Sequence, residues 1–301
     1  MELTDEMVER FPVLPGLRVR LDKVPTRWDV PGELEDLNKE ELKQQAADFV
    51  AERVRELAGL QDLLWADGRY GLLVIFQGMD GAGKDSTIKH VTAGMNPSGV
   101  RVRSFREPTW EELRRNYLWR YVNAMPEQGQ IGIFNRSYYE EIGVVRVNPE
   151  LLRTRSMPDR RIDGAFWAER LADINFLENQ MVRNGTMVLK FFLHISKREQ
   201  AKRLLERLQT PEKQWKFSPS DMAARDRWDD YQRVYEEMLS HTSTEHAPWW
   251  IMPADRKWAM RTIVAQVMSR EMRKLELRYP PVDAAKREQI RRAIETLKSE
   301  G

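Results

Sequence analysis

One stretch constrains this chain more than any other: Gly78-Met79-Asp80-Gly81-Ala82-Gly83-Lys84-Asp85-Ser86-Thr87. It follows the apolar run Leu72-Leu73-Val74-Ile75-Phe76, which reads as a buried parallel strand. It precedes Ile88 to Met95, which can begin a helix. Strand, glycine loop, lysine, hydroxyl and helix in that order form a cradle for phosphate. Glycines let backbone N–H groups converge on phosphate oxygens with no Cβ in the way. The helix N-terminus adds partial positive charge, and Lys84 adds a full one. The stretch departs from the usual pattern at Asp85, where serine or threonine is common, with Ser86 and Thr87 just after it. A chance glycine turn is the competing reading; the preceding strand and the lysine argue against it.

The rest of the chain supplies elements of the kind that surround such a loop. Asn38 to about Trp65 reads as a long helix with Leu42, Phe49, Val50, Val54, Leu57 and Leu64 at helical spacing, and Asn38 with Glu41 as a capping box. Further strands are expected at Val100–Phe105, Gln130–Phe134, Met187–Ile195 and Trp249–Met252. Helices are expected at Glu111–Val122, Ala168–Asn184, Lys197–Leu208, Ser220–Leu239, Lys257–Leu277 and Asp283–Lys298. Strands separated by helical crossovers imply a parallel sheet with helices on both faces. Ligands in such sheets sit at the carboxyl ends of the strands. The glycine loop, Arg106-Glu107-Pro108-Thr109 and Asn135-Arg136 all follow strand ends, so all three are expected to line one crevice. Residues 1–37, broken by Pro12, Pro15, Pro25 and Pro31, read as an irregular arm. Residues 38–280 read as the core, and 281–301 as a terminal helix for packing or oligomer contact.

Composition narrows the function classes. The 301 residues contain no cysteine, which excludes disulfides, thiolate chemistry and a cysteine zinc site and fits a reducing cytoplasm. No apolar run approaches the ~18 residues of a membrane span. Met1 to Arg10 is acidic and lacks an apolar signal core. A net charge of +2 gives no indication of nucleic-acid binding. The ten tryptophans are expected mostly in the core or between helices.

Two carboxylates sit where a phosphate-binding loop already faces a polyanion. Asp80 and Asp85 would add repulsion there unless a cation stood between, and magnesium is the economical choice, organised by Asp80. Their competing uses are a tight turn for Asp80 and a helix cap for Asp85. Asn135 stands at a strand end where an acidic magnesium ligand is common and carries no charge, which shifts weight to Asp80. Arg136 reads as a phosphate clamp, against a strand-end ion pair with Glu140 or Glu141. Lys197, Arg198, Lys202, Arg203 and Arg207 make a basic helix followed by Lys213 and Lys216. Like charges one turn apart repel unless an anion bridges them, so a lid over phosphates at about 197–225 competes with a merely solvated face. Arg106, Arg114, Arg115 and Arg120 form a second basic set. His90, His194, His241 and His246 show no metal-ligand spacing.

With these residues in hand, the chain resembles the polyphosphate kinase 2 family. The resemblance runs from Gly78-Met79-Asp80-Gly81-Ala82-Gly83-Lys84-Asp85 through Pro108-Thr109, Leu118-Trp119-Arg120, Asn135-Arg136-Ser137-Tyr138-Tyr139-Glu140, Asp230-Tyr231 with Tyr235, and Ala247-Pro248-Trp249. It implies an α/β, thymidylate-kinase-like P-loop kinase: a five-stranded parallel sheet sandwiched by helices, with a helical lid. It also implies magnesium-dependent phosphoryl transfer between inorganic polyphosphate and nucleotides, by a homo-oligomer. Asp80, Lys84 and Arg136 would then be catalytic. Gly81, Ala82, Gly83, Lys84, Asp85, Ser86, Arg120, Arg203 and Lys216 would bind phosphate or polyphosphate. Arg106, Pro108, Thr109, Asn135, Arg136, Tyr139 and Glu140 would bind the nucleotide. Members restricted to one acceptor tend to carry Asp-Arg-Ser-Trp-Tyr after the third strand. Asn135-Arg136-Ser137-Tyr138-Tyr139-Glu140 is similar instead to the class III members, which take AMP to ADP and ADP to ATP. The expected substrates are therefore polyphosphate and adenine nucleotides, with guanine left open. The alternatives are an ATP-dependent nucleoside or nucleoside monophosphate kinase, and a non-catalytic polyanion-binding module.

Overall fold

The computed structural model describes residues 5–28 and 38–300. Pro31 and the rest of 29–37 lie outside the described residues. In chain order the helices begin with α1 (Asp5–Val8), α2 (Lys39–Asp67) and α3 (Lys84–Val91). The short α4 (Trp110–Leu113), α5 (Trp119–Val122) and α6 (Val144–Val147) precede α7 (Gly164–Arg183). Then come α8 (Lys197–Gln209), α9 (Pro211–Gln214), α10 (Pro219–Asp226), α11 (Trp228–Thr242), α12 (Lys257–Arg273) and α13 (Ala284–Ser299). The strands are β1 (Gly71–Gln77), β2 (Val100–Ser104), β3 (Ile131–Asn135), β4 (Thr186–His194) and β5 (Trp249–Pro253). All four pairings are parallel, in the order β2-β3-β1-β4-β5.

The sheet explains why the apolar run at 72–76 is continuous rather than alternating. β1 sits in the middle, with β3 on one side and β4 on the other, and all seven of its residues are buried. A strand covered on both faces has no solvent side to make polar. Each such Leu, Ile or Phe contributes about 1.5–3 kcal/mol by leaving water. The long α2 and α12 pack together beside this sheet, and α12 buries Ile263, Val264, Val267, Met268 and Met272. The expected capping box holds: the Asn38 side chain accepts from the Glu40 and Glu41 N–H groups, and Glu41 Oε2 accepts from Asn38 N at 3.0 Å.

Two expectations change. Glu111–Val122 is not one helix, because the Asn116 side chain accepts the Leu118 N–H at 2.9 Å and diverts the backbone between α4 and α5. Ser220–Leu239 is two helices that break at Arg227, after which Trp228, Tyr231 and Tyr235 are buried. Within the described part of the N-terminal arm, Val8, Val13, Val19, Leu21 and Trp28 join the main core. Its backbone runs along β5, with Val13 N to Trp249 O at 2.8 Å and Ile251 N to Phe11 O at 3.0 Å. The arm thus covers an edge that would otherwise present unpaired N–H and C=O groups. The tryptophans also divide: Trp28, Trp167, Trp228, Trp249 and Trp250 are buried, whereas Trp65, Trp110 and Trp215 are exposed.

Candidate active site

The glycine loop leaves β1 in a conformation that only glycine supports. Gly78 has φ +136°, and a Cβ there would lie 2.6 Å from the Leu193 carbonyl of β4. Close packing of the loop against β4 therefore excludes any side chain. Gly83, at φ +108°, turns the chain into α3, whose first residue is Lys84. The lysine is buried and folded back over the loop, with Nζ donating to Gly78 O at 2.7 Å and Met79 O at 3.3 Å. Burial lowers its pKa, opposed chiefly by the charge of Asp80, whose Oδ1 lies 3.9 Å away. The Ser86 and Thr87 hydroxyls both donate to Gly83 O at 3.0 Å, closing the first turn of the helix.

Asp80 and Arg136 meet across the crevice. Arg136 Nη2 donates to Asp80 Oδ1 at 2.5 Å, and Nη1 to Glu140 Oε2 at 3.1 Å. Glu140 Oε1 accepts from Gln77 Nε2 at 2.9 Å. The competing ion pair with Glu140 is therefore present, and Asp80 shares the guanidinium. Arg136 has φ +64°. That left-handed backbone costs a residue with a Cβ about 1–2 kcal/mol. Such strain persists where surrounding structure over-determines it. The Glu140 charge, followed against burial by that of Asp80, raises the Arg136 pKa. Burial raises the Asp80 pKa, but Arg136 and Lys84 outweigh it, so the carboxylate stays ionised below the usual range.

Asn135, at the end of β3, donates from Nδ2 to Asp85 Oδ1 at 2.6 Å and to Ser104 Oγ at 3.3 Å. An amide at 135 thus satisfies the carboxylate at 85, where a second carboxylate would repel it. Asp85 also faces Lys216 Nζ at 3.7 Å, which brings the segment after α9 over the loop.

Two residues expected to touch substrate are otherwise engaged. Arg203 is buried, and its five N–H donors all have acceptors. Nε bonds Glu199 at 2.9 Å, Nη1 bonds the carbonyls of Gly81 and Ala82 at 3.1 and 3.0 Å, and Nη2 bonds those of Ala254 and Asp255 at 2.6 and 3.1 Å. It clamps the phosphate loop to the end of β5 and leaves no donor for polyphosphate. Tyr139 is fully buried and turns away from the crevice; its hydroxyl donates to Glu178 Oε1 at 2.8 Å. Neither role was legible beforehand, because a basic helical stripe and an aromatic motif look the same whichever way the side chains turn.

The remaining expected residues stand nearer solvent. Arg120 Nη2 donates to Arg106 O at 3.0 Å, tying the second basic set together behind the crevice. Thr109 caps α4 in a second capping box with Glu112, after the half-buried Pro108. Arg106 and Lys216 are exposed.

Gln200 and Asp221 were missed. Gln200 Nε2 donates to Asp80 O at 2.9 Å, and Arg225 Nη1 holds Gln200 Oε1 at 3.0 Å. Asp221 is buried, accepts from Arg207 Nη1 at 3.0 Å and feels the charge of the Asp80 carboxylate. A neutral amide and one aspartate among many carry no sequence signal. Burial and then the Asp80 charge raise the Asp221 pKa, so the contribution of the protonated group to stability is fully present below the ordinary value of 3.8 and is lost as pH rises through the raised value. Asp221→Asn removes that titration. The Tm of the variant relative to the unaltered protein is therefore expected to rise from acid to neutral pH, read by thermal melts at pH 4 and pH 8. A pH-independent difference would remove Asp221 from the linkage.

A buried lysine in a glycine loop and an arginine from the neighbouring strand end can neutralise a transferring phosphoryl group, and the carboxylate beside them can hold a cation. The polyphosphate kinase 2 family model matches residues 37–279. The chain belongs to the polyphosphate kinase 2 family. It is a phosphotransferase, as that family is. Among curated relatives, an ADP-polyphosphate phosphotransferase of Rhodopseudomonas palustris is 44% identical, covering 94% of this chain and 95% of its own. An AMP/ADP-polyphosphate phosphotransferase of Meiothermus ruber is also 44% identical, covering 81% and 87%. The crystal structure of polyphosphate kinase 2 from Arthrobacter aurescens superposes with TM-score 0.81 at 36% identity, covering 94% of this chain and 95% of that one. No described helix is long and apolar enough to cross a membrane.

Proposed function

We propose that this kinase transfers the terminal phosphoryl group of inorganic polyphosphate to both AMP and ADP, giving ADP and then ATP. The two relatives above are equally identical and differ in the acceptor they are named for, so overall identity does not choose between them. The observation that carries the reading is local: the Asn135–Asp85 hydrogen bond, with Arg136 and Glu140 on the following turn. It gives the acceptor side of the crevice an amide rather than a second carboxylate. That lowers the negative charge an incoming monophosphate must approach.

The chain's own residues support an in-line transfer. Backbone N–H groups of Gly81 and of Gly83 to Ser86, with the Lys84 ammonium, hold the transferring phosphoryl group, while the Ala82 N–H donates to Met79 O at 3.1 Å within the loop. Arg136 screens the repulsion between two polyanions, and Lys216 in the lid adds charge along the polyphosphate path. The attacking oxygen of a phosphate monoester is already largely anionic at neutral pH, with a second pKa of about 6, so no general base is needed. Among the described residues no group of three or more His, Cys, Asp or Glu side chains is arranged for a metal. Magnesium is commonly held by one or two carboxylates and completed by substrate phosphates. Asp80 would hold it, and the ion would neutralise charge on the donor and acceptor oxygens. Release of Asp80 from Arg136 would free both for their ligands. The lid segment at about 197–225, a core spanning 38–280, a homo-oligomeric state and a cytoplasmic place belong to the same reading.

The test is an assay with magnesium, long-chain polyphosphate and AMP as the only nucleotide, with separation of products. ADP followed by ATP is expected. ADP alone would mark a monophosphate-specific enzyme, and ATP from ADP with nothing from AMP a diphosphate-specific one; either would overturn dual acceptance. Asp80→Asn is expected to shift the divalent-cation titration to higher concentration, and an unchanged titration would remove its metal role.

A further inference from the structure

Behind the crevice lies a charged pair that the mechanism does not use. Lys190 of β4 and Glu178 of α7 are both fully buried, with Nζ 2.6 Å from Glu178 Oε2. Lys190 also donates to Tyr139 Oη at 2.9 Å and to Thr242 O at 2.6 Å. Glu178 Oε1 accepts from both the Tyr138 and the Tyr139 hydroxyls, each at 2.8 Å. The Trp249 indole N–H completes the cluster by donating to Thr242 Oγ1 at 2.8 Å. None of these side chains is exposed to the crevice solvent, yet two of them belong to the turn that carries Arg136 and Glu140.

We infer that the Lys190–Glu178 pair is a positioning unit that sets Arg136 in the crevice by anchoring Tyr138 and Tyr139. Stability alone does not account for it. Two charges removed from water are commonly replaced by apolar side chains with no loss of stability. What the pair supplies is direction, because hydroxyls at 138 and 139 must point at one carboxylate. Arg136 needs such support. It holds a left-handed backbone with φ +64°, two residues before Tyr138. On its other side the chain is fixed by Arg136 N to Phe76 O at 3.1 Å and by Asn135 on Asp85. Downstream, Glu141 is gripped by Arg155 at 2.5 Å and Arg170 at 3.2 Å, which fixes the end of the turn but not its middle. With Gln77 on Glu140, the buried cluster holds the middle.

This inference rests on the reading of Arg136 as a phosphate-binding side chain, and a double-mutant cycle separates the two. Removing one charge would strand the other, so the pair is replaced together, Glu178→Leu with Lys190→Met. The double variant is expected to melt cooperatively, at a Tm lowered by the Tyr138 and Tyr139 hydroxyls and the Thr242 carbonyl that it leaves without these partners. Its kcat with polyphosphate and ADP is expected to fall about 10–100-fold, as a displaced catalytic group does, with KM for polyphosphate changed less than about twofold. In an Arg136→Ala background the same double change is expected to lower kcat less than about twofold, because its route to the substrate is gone. A folded double variant with unchanged kcat would overturn the inference while leaving Arg136 its role. So would a full loss repeated in the Arg136→Ala background, which marks general damage. Normal turnover in Arg136→Ala alone would overturn both readings. If the double variant does not fold, Tyr139→Phe keeps the ion pair and removes one anchoring hydroxyl; the same cycle is read on it, with an expected fall of about threefold.

Discussion

Lys84→Met is expected to lower turnover with polyphosphate by about 10²–10³-fold while leaving the fold intact. The activity loss follows from what the ammonium does. It is the full positive charge of the loop, already held within 2.7 Å of the Gly78 carbonyl. Charge that develops on the transferring phosphoryl oxygens is stabilised there by a cation that is itself buried and preorganised. The retained fold follows from the sign of the lysine's pKa shift. Burial lowers it, so the folded state disfavours the charged form relative to the unfolded chain. Methionine is of similar length and brings no charge to bury. The Tm of the variant is expected to stay within a few degrees of the unaltered protein, because methionine buries no charge but leaves the Gly78 and Met79 carbonyls without that donor. Near-normal turnover in the folded variant would take the glycine loop out of the chemistry. A collapse in Tm would show that Lys84 holds the loop up as well as serving it.

Arg203→Ala is expected to behave in the opposite way, losing stability first. Its guanidinium bridges four backbone carbonyls, two in the phosphate loop and two at the end of β5, and Glu199 takes the fifth donor. Truncation leaves buried carbonyls without partners, at a cost of about 3–5 kcal/mol. For a chain of this size that corresponds to a Tm fall of roughly 6–15 °C. Turnover is expected to fall with it, through kcat, because the loop loses its backing. A phosphate-binding arginine at this position would give another pattern: unchanged melting and a raised KM for polyphosphate. Thermal melts and polyphosphate kinetics on one variant distinguish the two.

These two residues show how far the sequence could be read. Lys84 was legible because the glycines, the strand before it and the helix after it leave the lysine one place to be. Arg203 was legible as a cation but not as the clamp on the phosphate loop. The periodicity of Lys197 to Arg207 places it on a helix, but which stripe of that helix faces the loop depends on how α8 docks. The same limit applies to Tyr139, which a family motif marks without saying whether its hydroxyl faces nucleotide or core. The breaks at Asn116 and Arg227 were hidden for a related reason. Helical periodicity continues through both, and a side-chain bond to Leu118 N decides one of them.

The sequence by itself determined what short-range physics can express. It determined the all-buried β1, the phosphate loop with its glycines, the capping box at Asn38, and alternation of strands and helices that allows little but a parallel sheet. It also determined the family, through motifs whose order and spacing are unlikely to recur together. Tertiary structure alone decided which charges meet. Asp80 with Arg136, Asp85 with Asn135, Asp221 with Asp80 and Lys190 with Glu178 are separated by 56, 50, 141 and 12 residues along the chain. The physical reason is that a charged side chain carries no period that names its partner. An aspartate looks alike on a solvated surface and inside a crevice, and only the packing of the sheet against its helices removes the water and leaves one partner within reach.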